Sequence, residues 1–91
     1  MAHDIQPADL GFFTTLATSG SLSAAARELG VTTPAVSKRL AQMESRLGIP
    51  LVIRTTRRMS LTPEGEVYLE HARRILSEIE DLAQTLGSAS A

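Results

Sequence analysis

Cysteine is absent from these 91 residues, as is tryptophan, and aromatic rings are confined to Phe12, Phe13 and Tyr68. Without thiols there is no disulfide, no thiolate metal site and no cysteine redox chemistry, which fits a cytoplasmic protein. His3 and His71 lie far apart in sequence without metal-ligand spacing, and the glycines form no phosphate-binding loop. No catalytic constellation is left, so the chain reads as a non-enzyme that needs no cofactor. No apolar run approaches bilayer-spanning length, and the N-terminus lacks the basic start and apolar stretch of a signal peptide, so no membrane partner is expected. With so few rings, one small domain has to fill a modest core with Leu, Ile, Val and Ala.

Net charge is also nearly absent, at −1, but it is unevenly placed. Residues 1–26 carry only Asp4 and Asp9, a local −2. Residues 27–58 carry Arg27, Lys38, Arg39, Arg46, Arg54, Arg57 and Arg58 against Glu28 and Glu44, a local +5. Residues 59–91 return to −4, with Arg73 and Arg74 against Glu64, Glu66, Glu70, Glu78, Glu80 and Asp81. A basic segment of this kind attracts phosphate even when the whole chain is neutral.

The basic segment overlaps the most patterned part of the chain, Ser21 to Gly48. Leu22, Ala25, Ala26 and Leu29 recur at helical spacing, and Gly30 suits the left-handed position that ends a helix. Val31 is expected to plug the corner, Thr32 or Thr33 to cap a second helix, and Pro34 to sit in its first turn. The second apolar stripe is Val36, Leu40, Met43 and Leu47. The small Ala25-Ala26 pair lets the two helices cross closely. This is the sequence form of a helix-turn-helix, whose second helix enters the DNA major groove. Opposite the stripe fall Pro34, Ser37, Lys38, Ala41, Gln42 and Ser45, a face with one cation and no carboxylate. Base edges and phosphates are read by such short polar groups and cations. Arg39 lies at the flank, where a phosphate contact or an internal ion pair is expected.

Ahead of this motif, Ala8 to Thr18 reads as a helix with Leu10, Phe13, Leu16 and Ala17 on its apolar side, stopped by Ser19-Gly20. Phe12 and Phe13 read as core anchors. After it, Gly48-Ile49-Pro50 breaks the helix, Leu51-Val52-Ile53 reads as a strand, and Met59-Ser60-Leu61 as its partner across the basic turn Thr55 to Arg58. This hairpin is a wing, with Arg57 and Arg58 near its tip and suited to backbone or minor-groove contact. Thr62-Pro63-Glu64 opens a long helix that reaches about Leu86, roughly 35 Å away. Its apolar residues Tyr68, Ala72, Ile75, Ile79, Leu82 and Leu86 alternate in steps of four and three, a heptad seam. A small domain cannot cover a helix that long, so the seam is expected to pair with a second copy. Ser88 to Ala91 reads as a frayed end or the start of a linker.

From Leu10 to Leu86 the chain resembles the DNA-binding region of the LysR-type transcriptional regulators. The resemblance is carried by the Phe-bearing first helix, the block GSLSAAARELGVTTPAVSKRLAQMESRLGIPL, Arg54 in the basic wing, and LTPEGEVYLEHARRIL. It implies a mainly α winged helix-turn-helix, a three-helix core plus a two-stranded wing, followed by a long dimerisation (linker) helix. Residues 1–62 form the DNA-binding domain in that reading, 63–87 the linker helix, and 88–91 the tail toward a C-terminal effector-binding domain. The implied partners are a double-stranded DNA operator with an inverted repeat and a second copy, with the parent protein possibly a tetramer. A small-molecule effector would be bound only by the missing domain.

Carried over residue by residue, Thr33, Pro34, Ser37 and Lys38 match positions that approach bases and phosphates, and Arg54 and Arg57 match wing positions. Thr33 stands where the family often has Gln or Ser, and Val52-Ile53 where it often has Phe and a polar residue. With their exposed neighbours, the candidate DNA-binding set is Ser23, Thr32, Thr33, Pro34, Ser37, Lys38, Gln42, Arg54, Thr56, Arg57 and Arg58. The candidate dimer interface is Tyr68, Ala72, Ile75, Ile79, Leu82 and Leu86. The competing reading is a winged-helix module that binds protein instead of DNA, and salt dependence separates the two.

Overall fold

The computed structural model describes residues 4–54 and 58–89. Helix α1 spans Pro7–Ser19, α2 Leu22–Leu29 and α3 Thr33–Leu47, followed by strands β1 (Val52–Arg54) and β2 (Met59–Leu61) and helix α4 (Pro63–Ala89). The expected winged helix-turn-helix with a long last helix is therefore the architecture observed.

Local chemistry sets the boundaries of α2 and α3. Ser21 Oγ accepts the Ala24 N–H at 3.1 Å and Thr32 Oγ1 accepts the Ala35 N–H at 3.2 Å, so each helix starts on a hydroxyl cap. Between them Gly30 adopts φ 70°, and the chain reverses through hydrogen bonds from Gly30 N to the Arg27 carbonyl and from Val31 N to the Ala26 carbonyl. Val31 does not plug the corner. It is 49% exposed, and Ala25, Ala26, Val36 and Leu40 fill the crossing instead. Leu29, at the last position of a helix only eight residues long, is likewise exposed.

Helix α1 packs on α2 and α4, and α2 packs on α3. Phe13, Leu16, Val36, Leu40 and Met43 are the largest fully buried side chains, and Phe12 is buried beside them. The Phe13 and Tyr68 rings meet edge to face, with centroids 4.9 Å apart. This contact seals the first turns of α4 onto the core. Tyr68 and Ala72, expected in the dimer seam, thus pack within their own domain, Ala72 with no exposed surface at all. Ile75, Ile79, Leu82 and Leu86 continue the same stripe with exposures of 43% to 60%.

The wing pairs antiparallel, with Val52 opposite Leu61, Ile53 opposite Ser60 and Arg54 opposite Met59. Its first strand runs one residue later than expected, over Val52–Arg54. Glu44 on α3 accepts both Leu51 N at 2.7 Å and Val52 N at 3.1 Å on one carboxylate oxygen. The root of α4 is fastened to the same strand entry. Thr62 N donates to the Leu51 carbonyl at 3.0 Å, Thr62 Oγ1 donates to the Pro50 carbonyl at 2.8 Å, and Gly65 N donates to Thr62 Oγ1 at 3.0 Å. Wing, recognition-type helix and long helix therefore share one junction at residues 50–52.

Candidate nucleic-acid interface

The apolar stripe of α3 is sunk in the core, which presents its other side outward. Pro34, Lys38, Ala41, Gln42 and Ser45 are exposed there, with Thr32 and Thr33 exposed at the helix start. The Thr32 hydroxyl accepts a helix N–H as a cap, so its free capacity for a ligand is as a donor. Ser37 is half-buried, because the Arg54 guanidinium from β1 donates to its Oγ at 2.8 Å. That bond spans 17 residues and joins wing to helix face. Ser37 retains its own O–H to donate. Arg54 stays exposed, with guanidinium donors left over for an acceptor outside the chain.

Of the other expected contact residues, Ser23 is exposed on α2 and Arg58 is exposed just ahead of β2. Thr56 and Arg57 lie outside the described residues. Lys38, Ser37, Gln42 and Arg54 thus share one surface formed by α3 and the first wing strand.

Sequence reasoning left Arg39 open between a phosphate contact and an internal ion pair, and the geometry gives the ion pair. Arg39 Nη2 lies 3.2 Å from Asp9 Oδ1 on α1, and Arg46 pairs with Asp9 Oδ2. Asp9, Arg46 and Glu44 were missed as organising residues. The spacing of Arg39 and Arg46, seven residues and so about two helical turns, already put both on one side of α3. Nothing in the sequence tied that side to Asp9.

Among the described residues, no group of His, Asp or Glu is placed to hold a metal ion, and no helix is long and apolar enough to cross a membrane. What the surface offers is a row of hydroxyl, amide, ammonium and guanidinium donors on a convex helix beside a hairpin. A rod of this width fits a major groove, and its donors suit base edges and phosphate oxygens.

The model of a bacterial regulatory helix-turn-helix protein, lysR family, matches residues 7–66. An uncharacterised helix-turn-helix-type transcriptional regulator of Mycobacterium tuberculosis is 51% identical over 76 residues, covering 84% of this chain and 24% of that protein. The transcriptional regulator DmlR of Escherichia coli is 42% identical over 78 residues, covering 86% of this chain and 25% of that one. The chain thus spans about a quarter of the length of the curated relatives it matches. Among solved structures, the CbnR DNA-binding domain in complex with DNA superposes with a TM-score of 0.84 at 31% identity, over 96% of this chain and 100% of that one. The BenM DNA-binding domain on a benA site gives 0.87 at 25% identity, over 96% of this chain and 98% of that one. With the family's model covering all three core helices and the wing, the chain belongs to the lysR family of bacterial regulatory helix-turn-helix proteins.

Proposed function

We propose that this chain is the sequence-specific, double-stranded-DNA-binding part of a bacterial transcriptional regulator. Helix α3 enters the major groove, and the wing lies on the backbone and the adjoining minor groove. One observation carries the reading: the exposed side of α3 presents Lys38 among Ser37, Gln42 and Pro34 without a carboxylate, and the Arg54–Ser37 bond holds a second cation on the same surface. That the similar CbnR and BenM domains were solved on DNA, and that the similar whole proteins are named transcriptional regulators, supports it.

Residues 1–62 are the DNA-binding unit in this proposal, 63–87 the dimerising helix, and 88–91 the start of the connection to an effector-binding domain. Two copies pair through Ile75, Ile79, Leu82 and Leu86, whose exposure on one stripe favours burial against an equal. An apolar cleft of about 570 Å³, lined in part by Leu10, Leu47, Leu51, Val67, Ala72 and Ile75, runs along the same helix and widens the surface available to a second copy. A two-fold pair reads an inverted repeat with half-sites spaced by whole duplex turns. The parent protein acts in the cytoplasm without catalysing a reaction, takes its small-molecule effector on the C-terminal domain, and can assemble further into a tetramer.

The test is a mobility-shift selection from a random duplex pool, with sequencing of the bound fraction at two salt concentrations. The expected result is an enriched inverted repeat whose retention falls steeply as salt rises. No enrichment, or self-association that ignores salt, points instead to a protein-interaction module.

A further inference from the structure

Two ion pairs converge on Asp9. The Asp9 side chain is 8% exposed, and its carboxylate accepts Arg39 on one oxygen and Arg46 on the other. Arg39 is held twice more: Nη2 donates to the Ala8 carbonyl at 3.1 Å, and the guanidinium lies over the Phe12 ring, 4.5 Å from its centroid. These contacts tie α3 directly to α1, although the principal packing partners of α1 are α2 and α4. They also occupy two cations of the basic segment 27–58, both on the helix that presents Lys38.

Nonspecific affinity for a duplex is almost wholly the electrostatics of phosphate contacts, whereas discrimination comes from base edges. A cation that is free to swing onto phosphate raises both affinities without favouring any sequence. A cation engaged by a carboxylate of its own domain raises neither, and Arg39 and Arg46 are so engaged although 43% and 36% of their side chains stay exposed.

We infer that Asp9 is a specificity-determining residue for DNA binding: it withholds Arg39 and Arg46 from the phosphate backbone and sets the roll of α3 on α1, so that binding rests on the groups that face the bases. The inference builds on the DNA-binding reading above. Asp9 is a positioning residue, since it acts through the two arginines and touches no DNA itself.

Two variants of the 91-residue chain test it, Asp9→Asn and the double variant Arg39→Met/Arg46→Met, each checked for an intact melting transition. The probes are the duplex most enriched by the wild type and a shuffled duplex of equal length and composition, titrated across salt. Asp9→Asn is expected to bind the shuffled duplex more tightly than wild type, to steepen the log–log salt slope by about one to two units, and to lower the ratio of selected to shuffled affinity. Arg39→Met/Arg46→Met is expected to leave the wild-type slope unchanged, because withheld arginines release no counter-ions. A merely structural role for Asp9 would weaken both duplexes together without steepening the slope, and that result overturns the inference. So does a flattened slope in the double variant, which decides the matter alone if Asp9→Asn does not fold. A wild type that enriches no sequence overturns the DNA-binding reading along with it, whereas a selective wild type with unaltered Asp9→Asn overturns the role of Asp9 only.

Discussion

Lys38 stands exposed on α3 next to Ser37, whose hydroxyl already accepts the Arg54 guanidinium. Replacing it with alanine keeps a good helix former at an exposed position, so the domain should melt as before while DNA affinity falls. A loss of about 1–3 kcal/mol is expected if its ammonium meets a base edge. Anisotropy titration of Lys38→Ala on the selected duplex measures this, and unchanged affinity with an intact melt sinks the assignment. Tyr68 makes a different prediction, about pH. Burial raises its phenol above the ordinary value of 10.0, the Asp9 carboxylate adds to the rise, and Arg46 and Arg39 oppose it. Above pH 10 the unfolded phenol loses its proton before the folded one, so the folded chain binds more protons and stability falls with pH. The contribution is fully present below pH 10 and is lost as pH climbs through the raised folded value. Denaturant melts of Tyr68→Phe should therefore show a shallower alkaline decline than wild type, and an identical decline would assign it to other groups.

Between elements, the tightest fit is at the root of α4. A Cβ on Gly65 would overlap the Leu51 carbonyl oxygen and press on Leu61 Cβ at 3.3 Å, whereas one on Gly11 in α1 meets nothing within 4 Å. The same substitution should thus have opposite signs at the two sites. Gly11→Ala gains helix propensity of up to about 1 kcal/mol. Gly65→Ala forces its Cβ against the Leu51 backbone and should cost about 1–3 kcal/mol or more. Thermal melts of both variants check the pair, and a stabilised Gly65→Ala would mean that α4 can shift off the strand entry. The contrast also marks where sequence was informative. The hydroxyl caps, Gly30 and the stripe Val36-Leu40-Met43-Leu47 are local or periodic signals, so α2, α3 and their turn were legible, as was the exposed face with Lys38. Glu44 gripping Leu51 and Val52, Arg54 on Ser37, and Asp9 between two arginines are contacts across 7 to 37 residues with no period to betray them. The exposed Val31 shows a similar limit: which residue fills a helix crossing depends on the crossing itself, and that is set by the whole core.

At the scale of the molecule, the proposed pairing rests on the exposed stripe of α4. Ile79 lies in its middle and is more than half exposed, so Ile79→Glu should leave the isolated domain folded. In a two-fold pair it would put two carboxylates into an apolar seam, each costing several kcal/mol unless it protonates or escapes to water. Sedimentation equilibrium should find the wild type dimeric and Ile79→Glu monomeric, with binding to a full inverted repeat reduced to that of a half-site. A monomeric wild type at high concentration, or a mutant that still pairs, would remove α4 from the interface. The fastening of Thr62 and Gly65 to residues 50 and 51 has a mechanical corollary. A 27-residue helix extends about 40 Å, and one clamped at its base behaves as a lever. A tilt of about 10° at that base carries the far end through about 7 Å, twice the rise of one base pair, by the geometry of a rod this long. Torque applied at the far end is therefore delivered to the wing and α3 as rotation, with little slack at the pivot to absorb it.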